Sequence, residues 1–135
     1  MEQTGKERRR KPRYNAELPC DLAPGDAELR VPGERLECST RDLSETGVGV
    51  VAGSIYVGYT CVVDEGRALL VRVALPTGEV SMEATAAHYI RLDKGGRDEP
   101  SYLIGLRITS MPAESHALYA RYLEELSRTE QERAD

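Results

Sequence analysis

Tryptophan and phenylalanine are absent from this 135-residue chain, and seven tyrosines supply all of its aromatic side chains. Its large apolar residues are therefore mostly leucine and valine, and valine-rich runs favour strand. Histidine occurs only at His88 and His116, which are far apart and lack a ligand cluster, so neither a metal centre nor a Ser/His/Asp triad finds its parts. The three cysteines, Cys20, Cys38 and Cys61, form no Cys-x-x-Cys pair, which leaves buried, reduced thiols as the expectation. No run approaches the roughly 18 apolar residues of a membrane-spanning helix, and the N-terminus is charged rather than signal-like. These absences point to a soluble, cytoplasmic protein that is not an enzyme, needs no cofactor or metal, and does not insert into a membrane.

Charge is present in quantity and unevenly placed. Residues 1–14 carry Lys6, Arg8, Arg9, Arg10, Lys11 and Arg13 against Glu2 and Glu7, a local balance of +4. The whole chain is −5, so the remainder stands at −9. A short cationic arm on an acidic body suits a specific anionic partner better than general adhesion to DNA. The length allows one compact unit with flexible ends. We expect an arm over residues 1–14, a packed body over 15–127, and a charged tail over 128–135. That tail is either disordered or a helical extension used to form a homodimer.

Alternation marks the strands. Ala16, Leu18, Cys20 and Leu22 share one face, with Pro19 placing that strand at an edge or bulge. Ala23-Pro24-Gly25-Asp26 reads as a turn, and Leu29 to Val31 before Pro32-Gly33 as a short strand. Leu36, Cys38 and Thr40 form the next strand, which ends in the turn Asp42-Leu43-Ser44-Glu45-Thr46-Gly47 and resumes at Val48 to Val51. Ala68 to Leu75 and Val80 to Ile90 make a hairpin around Pro76-Thr77-Gly78. After a turn at Lys94-Gly95-Gly96, Tyr102 to Ile108 is a strand in which Gly105 marks a close approach. The period then becomes helical at Tyr119, Tyr122, Leu123 and Leu126, with Ser110 as cap and Pro112 at the start. The result is a mainly β fold, a small antiparallel β-barrel of about six strands with a C-terminal α-helix packed on it.

Two segments carry chemistry. Arg9 and Arg13 lie four residues apart on a stretch that Pro12 keeps extended, roughly 13 Å between Cα atoms at about 3.3 Å per residue. A guanidinium presents a planar fork of donors that fits a phosphate or the O6/N7 edge of guanine. In the turn, Asp42 offers a carboxylate able to accept from the N1 and N2 donors of guanine, Ser44 offers a hydroxyl, and Gly47 allows the tight point. Each segment alone reads as something ordinary, a solvated basic tail and a hairpin loop. Together, and in this order, they match a guanine nucleotide carrying phosphates.

An Arg-x-x-x-Arg arm before the first strand, followed by an Asp-x-Ser-x-x-Gly turn, resembles the PilZ domain. Leu75-Pro76, the strand running to Arg91, and Ile104-Gly105-Leu106-Arg107 follow in the order that family shows. The resemblance implies a six-stranded barrel that receives the bacterial second messenger cyclic di-GMP. It also implies that Arg9 and Arg13 grip guanine and phosphate while Asp42, Ser44 and Gly47 form the second wall, with Arg8 and Arg10 as auxiliaries. Family members place an aromatic or bulky residue on the strand before the Ile-Gly-Leu-Arg segment to cover a base, which here is Tyr89 or His88. Alternation from Met82, Ala84 and Ala86 favours Tyr89, whose stacking on guanine is worth roughly 1 to 3 kcal/mol. A ligand bridging arm and turn would order the arm and signal through a separate downstream protein. The alternative is a PilZ-like protein-interaction module that needs no ligand, although such modules usually have degenerate motifs and both are complete here.

Overall fold

The computed structural model describes residues 12–25, 34–92 and 100–134. Strands β1 (Tyr14–Asn15), β2 (Pro19–Pro24), β3 (Leu36–Leu43), β4 (Gly47–Ala52), β7 (Leu69–Leu75), β8 (Gly78–Leu92) and β9 (Ser101–Ser110) form one antiparallel sheet. Its order is β1-β3-β2-β7-β8-β9-β4, and a further pairing of β3 with β4 closes β2, β3, β4, β7, β8 and β9 into a six-stranded barrel. Helix α1 (Ala113–Ala134) packs on β8 and also touches β1. A two-stranded ribbon, β5 (Tyr56–Val57) and β6 (Thr60–Cys61), turns at Gly58, whose φ of 59° suits a residue without a Cβ. No described helix is long and apolar enough to cross a membrane.

The barrel forms where alternation is strict. In β7, Leu69, Val71, Val73 and Leu75 are buried while Arg72 and Ala74 are exposed, and the first half of β8 repeats this with Val80, Met82 and Ala84. Leu22, Leu43, Val50 and Ile104 complete the interior, and Tyr119 and Leu123 of α1 cover it. Burying a Val or Leu side chain contributes about 1.5–3 kcal/mol, so this layer is the main source of stability.

Several expectations change in detail. The first strand is split: between β1 and β2, Ala16 N still donates to the Arg41 carbonyl at 3.1 Å and the Leu18 carbonyl accepts from Thr40 N at 2.8 Å, but the Thr40 side chain is inserted between the remaining groups. Thr40, only 1% exposed, donates through Oγ1 to the Ala16 carbonyl at 2.5 Å and accepts from Leu18 N at 2.9 Å. Pro19 is the first residue of β2 and pairs only with Ser39, so its missing N–H interrupts no ladder. Ser110 ends β9 and donates to Glu83, and the Pro112 carbonyl instead accepts the first helical bond from His116 N at 2.8 Å. Of the two expectations for the tail over 128–135, disorder or a helical extension, the structure has the extension, with α1 continuing to Ala134. It lacks Gly and Pro and consists largely of good helix formers, and Thr129 bonds back to the Glu125 carbonyl. The expected strand at Leu29 to Val31 and the turn at Lys94-Gly95-Gly96 lie outside the described residues. Cys20 and Cys38 are cross-strand partners with free thiols 3.2 Å apart.

On the outside of β2, Asp21 is clasped by Arg35 and by Arg72, the latter at 3.0 and 3.1 Å. Partial burial works to raise the Asp21 carboxyl, but hydrogen bonds from Arg72 and Arg35 outweigh it and hold the group below its ordinary value of 3.8. A depressed carboxyl stabilises the fold fully above the unfolded-state value, and that contribution is lost as pH falls through the lower folded value. Asp21→Asn is expected to lower stability at pH 7 and to flatten the loss of stability below about pH 4, as read by urea unfolding across pH.

Candidate functional site

Two β-bulges determine which side chains face the site. Opposite β4, the register of β3 jumps between Thr40 and Asp42, leaving Arg41 as the extra residue. The phase of the strand therefore flips: Thr40 and Leu43 both point into the core, and Asp42 turns outward. Opposite β9, β8 jumps between Ala86 and His88, with Ala87 extra. His88 thereby comes opposite Gly105 on the outer face, and Tyr89 opposite the core residue Ile104.

The consequence is one continuous row across four strands. Asp42 pairs with Gly49, Gly49 with Gly105, and Gly105 with His88. Neighbouring strands lie about 4.8 Å apart, so the row spans roughly 14 Å between its end Cα atoms. The two glycines form its floor. A Cβ on Gly49 would stand 2.7 Å from Asp42 Oδ1, and one on Gly105 would collide with the His88 ring, so carboxylate and imidazole both lean over bare backbone. At Gly47 a Cβ would meet the Leu106 carbonyl oxygen at 2.7 Å.

This row lies in a groove of about 1060 Å³ whose walls also include Pro12, Arg13, Ser44, Thr46, Gly47 and Arg107. Arg13 Nη1 is 3.8 Å from Asp42 Oδ1, and its side chain is 64% exposed. So exposed and long a pair contributes little to stability, and the guanidinium is accessible to a ligand. Arg107, opposite Gly47, adds a second exposed cation. Asp42 is the only carboxylate among the described residues lining the groove. Among the described residues no group of three or more His, Cys, Asp or Glu is placed to hold a metal ion.

The turn itself is rigidly built. Ser44 N donates to the Gly47 carbonyl at 2.9 Å, and Ser44 Oγ accepts from Gly47 N at 3.0 Å and Thr46 N at 3.3 Å. From behind, the Tyr119 hydroxyl donates to the carbonyls of Ser44 at 2.8 Å and Gly47 at 3.2 Å. Burial pushes the Tyr119 phenol well above its ordinary value, which keeps it a proton donor.

The structure thus brings Arg13, Asp42, Ser44 and Gly47 together, as the motifs require. Ser44 is 5% exposed and its hydroxyl is engaged inside the turn, so it shapes the turn rather than displaying a free donor. Arg8, Arg9 and Arg10 lie outside the described residues. Tyr89, favoured by uninterrupted alternation, is 45% exposed and does not line the groove, whereas His88 does; the Ala87 bulge is the reason. Gly49, Arg107 and Tyr119 were not singled out as site residues. For Gly49 the signal was present, since Gly47 and Gly49 are two apart on one strand and so share a face.

A family model described as the PilZ domain matches residues 7–125. The chain belongs to the PilZ domain family. Comparison with curated proteins gives no significant match. Among solved structures, the PilZ domain with c-di-GMP of YcgR from Escherichia coli is similar at 20% identity and a TM-score of 0.68, over 95% of this chain and 98% of that one. The inhibitor of motility MotI/DgrA from Bacillus subtilis is 17% identical with a TM-score of 0.64, over 90% of this chain and 52% of that one. The MrkH-c-di-GMP complex of K. pneumonia is 13% identical with a TM-score of 0.68, over 100% of this chain and 56% of that one. The chain therefore spans about half the length of MotI/DgrA and MrkH. At these identities the likeness establishes the fold, and the PilZ barrel described above agrees with it.

Proposed function

We propose that this PilZ domain is a receptor for cyclic di-GMP and not an enzyme. The observation that carries the reading is the row Asp42, Gly49, Gly105, His88 with Arg13 beside its carboxylate end. Two adjacent glycines make a flat floor on which a planar base can lie without meeting a Cβ. Asp42 accepts from guanine N1 and N2, Arg13 and Arg107 meet phosphate oxygens or the O6/N7 edge, and His88 closes the far end of the slot. The carboxylate and the imidazole sit at opposite ends of the row, an arrangement that suits gripping a ligand rather than relaying a proton. Two of the similar structures are named as holding c-di-GMP.

Arg9 on the arm extends the same grip, with Arg8 and Arg10 as further cations, so a ligand held between arm and turn ties the arm to the barrel. The signal then passes to a separate protein partner. An exposed donor edge on the base is what Asp42 requires, and adenine lacks the N1–H and N2 donors. Titration calorimetry with cyclic di-GMP and cyclic di-AMP in parallel is expected to show saturable binding of the guanine ligand at micromolar or tighter affinity, and at least about a hundredfold preference over the adenine one. Equal affinities for the two would contradict the role given to Asp42.

A further inference from the structure

We propose that Tyr119 is a positioning residue for the ligand turn, and that α1 responds through it to occupancy of the groove; this rests on the reading of that groove as a cyclic di-GMP site. The phenol hydroxyl is shared between the Ser44 and Gly47 carbonyls, the two ends of the turn that carries the site's second wall. These carbonyls face the helix, while Gly47 and its neighbours line the groove. Tyr119 is 2% exposed, so no water substitutes easily for its proton.

The helix carrying this contact is itself anchored. One turn earlier, Ser115 Oγ accepts from Ser81 N of β8 at 2.9 Å, and Leu118 lies against Gly78 at the start of the same strand. Helix α1 also touches β1, whose Tyr14 follows Arg13 directly and pairs with Leu43 beside Asp42. One element therefore contacts both β1, which directly follows Arg13, and the 44–47 turn, which begins two residues after Asp42. The coupling is reciprocal by linkage. Whatever Tyr119 adds to ligand affinity by holding the turn, the ligand returns by holding α1 against the barrel. Beyond Ser127 the described side chains of α1, Arg128 to Gln131, are exposed, and this end of the helix is the part placed to carry the change outward.

The test uses the full chain as wild type, Tyr119→Phe and Tyr122→Phe, each with and without cyclic di-GMP. Phenylalanine keeps the ring in the core and removes only the hydroxyl. Tyr119→Phe is expected to weaken cyclic di-GMP binding about tenfold, the effect of one ordinary hydrogen bond, and to speed amide exchange at residues 44–47 without ligand. Tyr122→Phe, on the same helical stripe, is expected to do neither. In wild type the ligand should slow exchange over residues 113–126, and in Tyr119→Phe this slowing should be largely lost. Unchanged affinity together with unchanged turn exchange in Tyr119→Phe would overturn the positioning role. Absence of helix slowing in ligand-bound wild type would overturn the response of α1. If wild type binds no cyclic di-GMP, the functional reading of the groove falls instead, while ligand-free exchange at 44–47 still decides whether Tyr119 holds the turn.

Discussion

Asp42→Ala is expected to weaken cyclic di-GMP binding by about ten- to a hundredfold, the range of roughly 1.5–3 kcal/mol for hydrogen bonds to a charged group. The substitution removes the only carboxylate among the described groove residues and leaves the ligand's base donors facing bare backbone at Gly49. Thermal stability should change little, because the one ion pair of Asp42 among the described residues, to Arg13, is long and exposed. Binding and folding therefore separate in this variant. A loss of binding that tracked a loss of fold would instead assign Asp42 to the scaffold. Calorimetry beside a thermal melt on the same sample reads both.

Gly49→Val should have the second large effect, and its sign on stability is diagnostic. Gly49 has ordinary strand geometry, as it is not among the glycines with positive φ, so valine is not strained there by backbone conformation. Its Cβ, however, would stand 2.7 Å from Asp42 Oδ1, and its methyl groups would rise into the floor of the slot. The Asp42 side chain must swing away and a planar ligand loses its resting surface. We expect binding to fall by at least about a hundredfold, as both the carboxylate contact and the packing of one base are lost. Stability should hold or rise, since valine is a better strand residue than glycine by up to about 1 kcal/mol. Retained affinity would show that the ligand does not lie on the Gly49–Gly105 floor.

The strands that could be read from the sequence are those with unbroken alternation. In β7 and the first half of β8, core residues fall at every second position, and there pattern and structure agree. The six-stranded barrel and its helix follow from these strands and from the change of period at Tyr119. The two bulges were not legible, because one inserted residue alters neither composition nor turn chemistry; it only reverses the faces of everything after it. Ala87 shifts the groove position from Tyr89 to His88 in this way, while at Arg41 the motif already named Asp42 and the bulge explains how it points outward. The β5–β6 ribbon was too short to announce itself, with two residues in each strand. The hold of Tyr119 on the 44–47 turn joins residues 75 and 72 positions apart, and its sequence signal, one apolar stripe, is the same for any packed helix.

The most direct test of the central claim is a cyclic di-GMP titration of isotope-labelled wild-type protein followed residue by residue through its backbone amides. Saturable shifts are expected to be largest at Asp42, Gly47, Gly49, Gly105 and His88, with Arg13 joining them and the β2–β7 side of the barrel unmoved. Saturable shifts centred elsewhere on the barrel, or none at all at ligand concentrations well above micromolar, would contradict that claim.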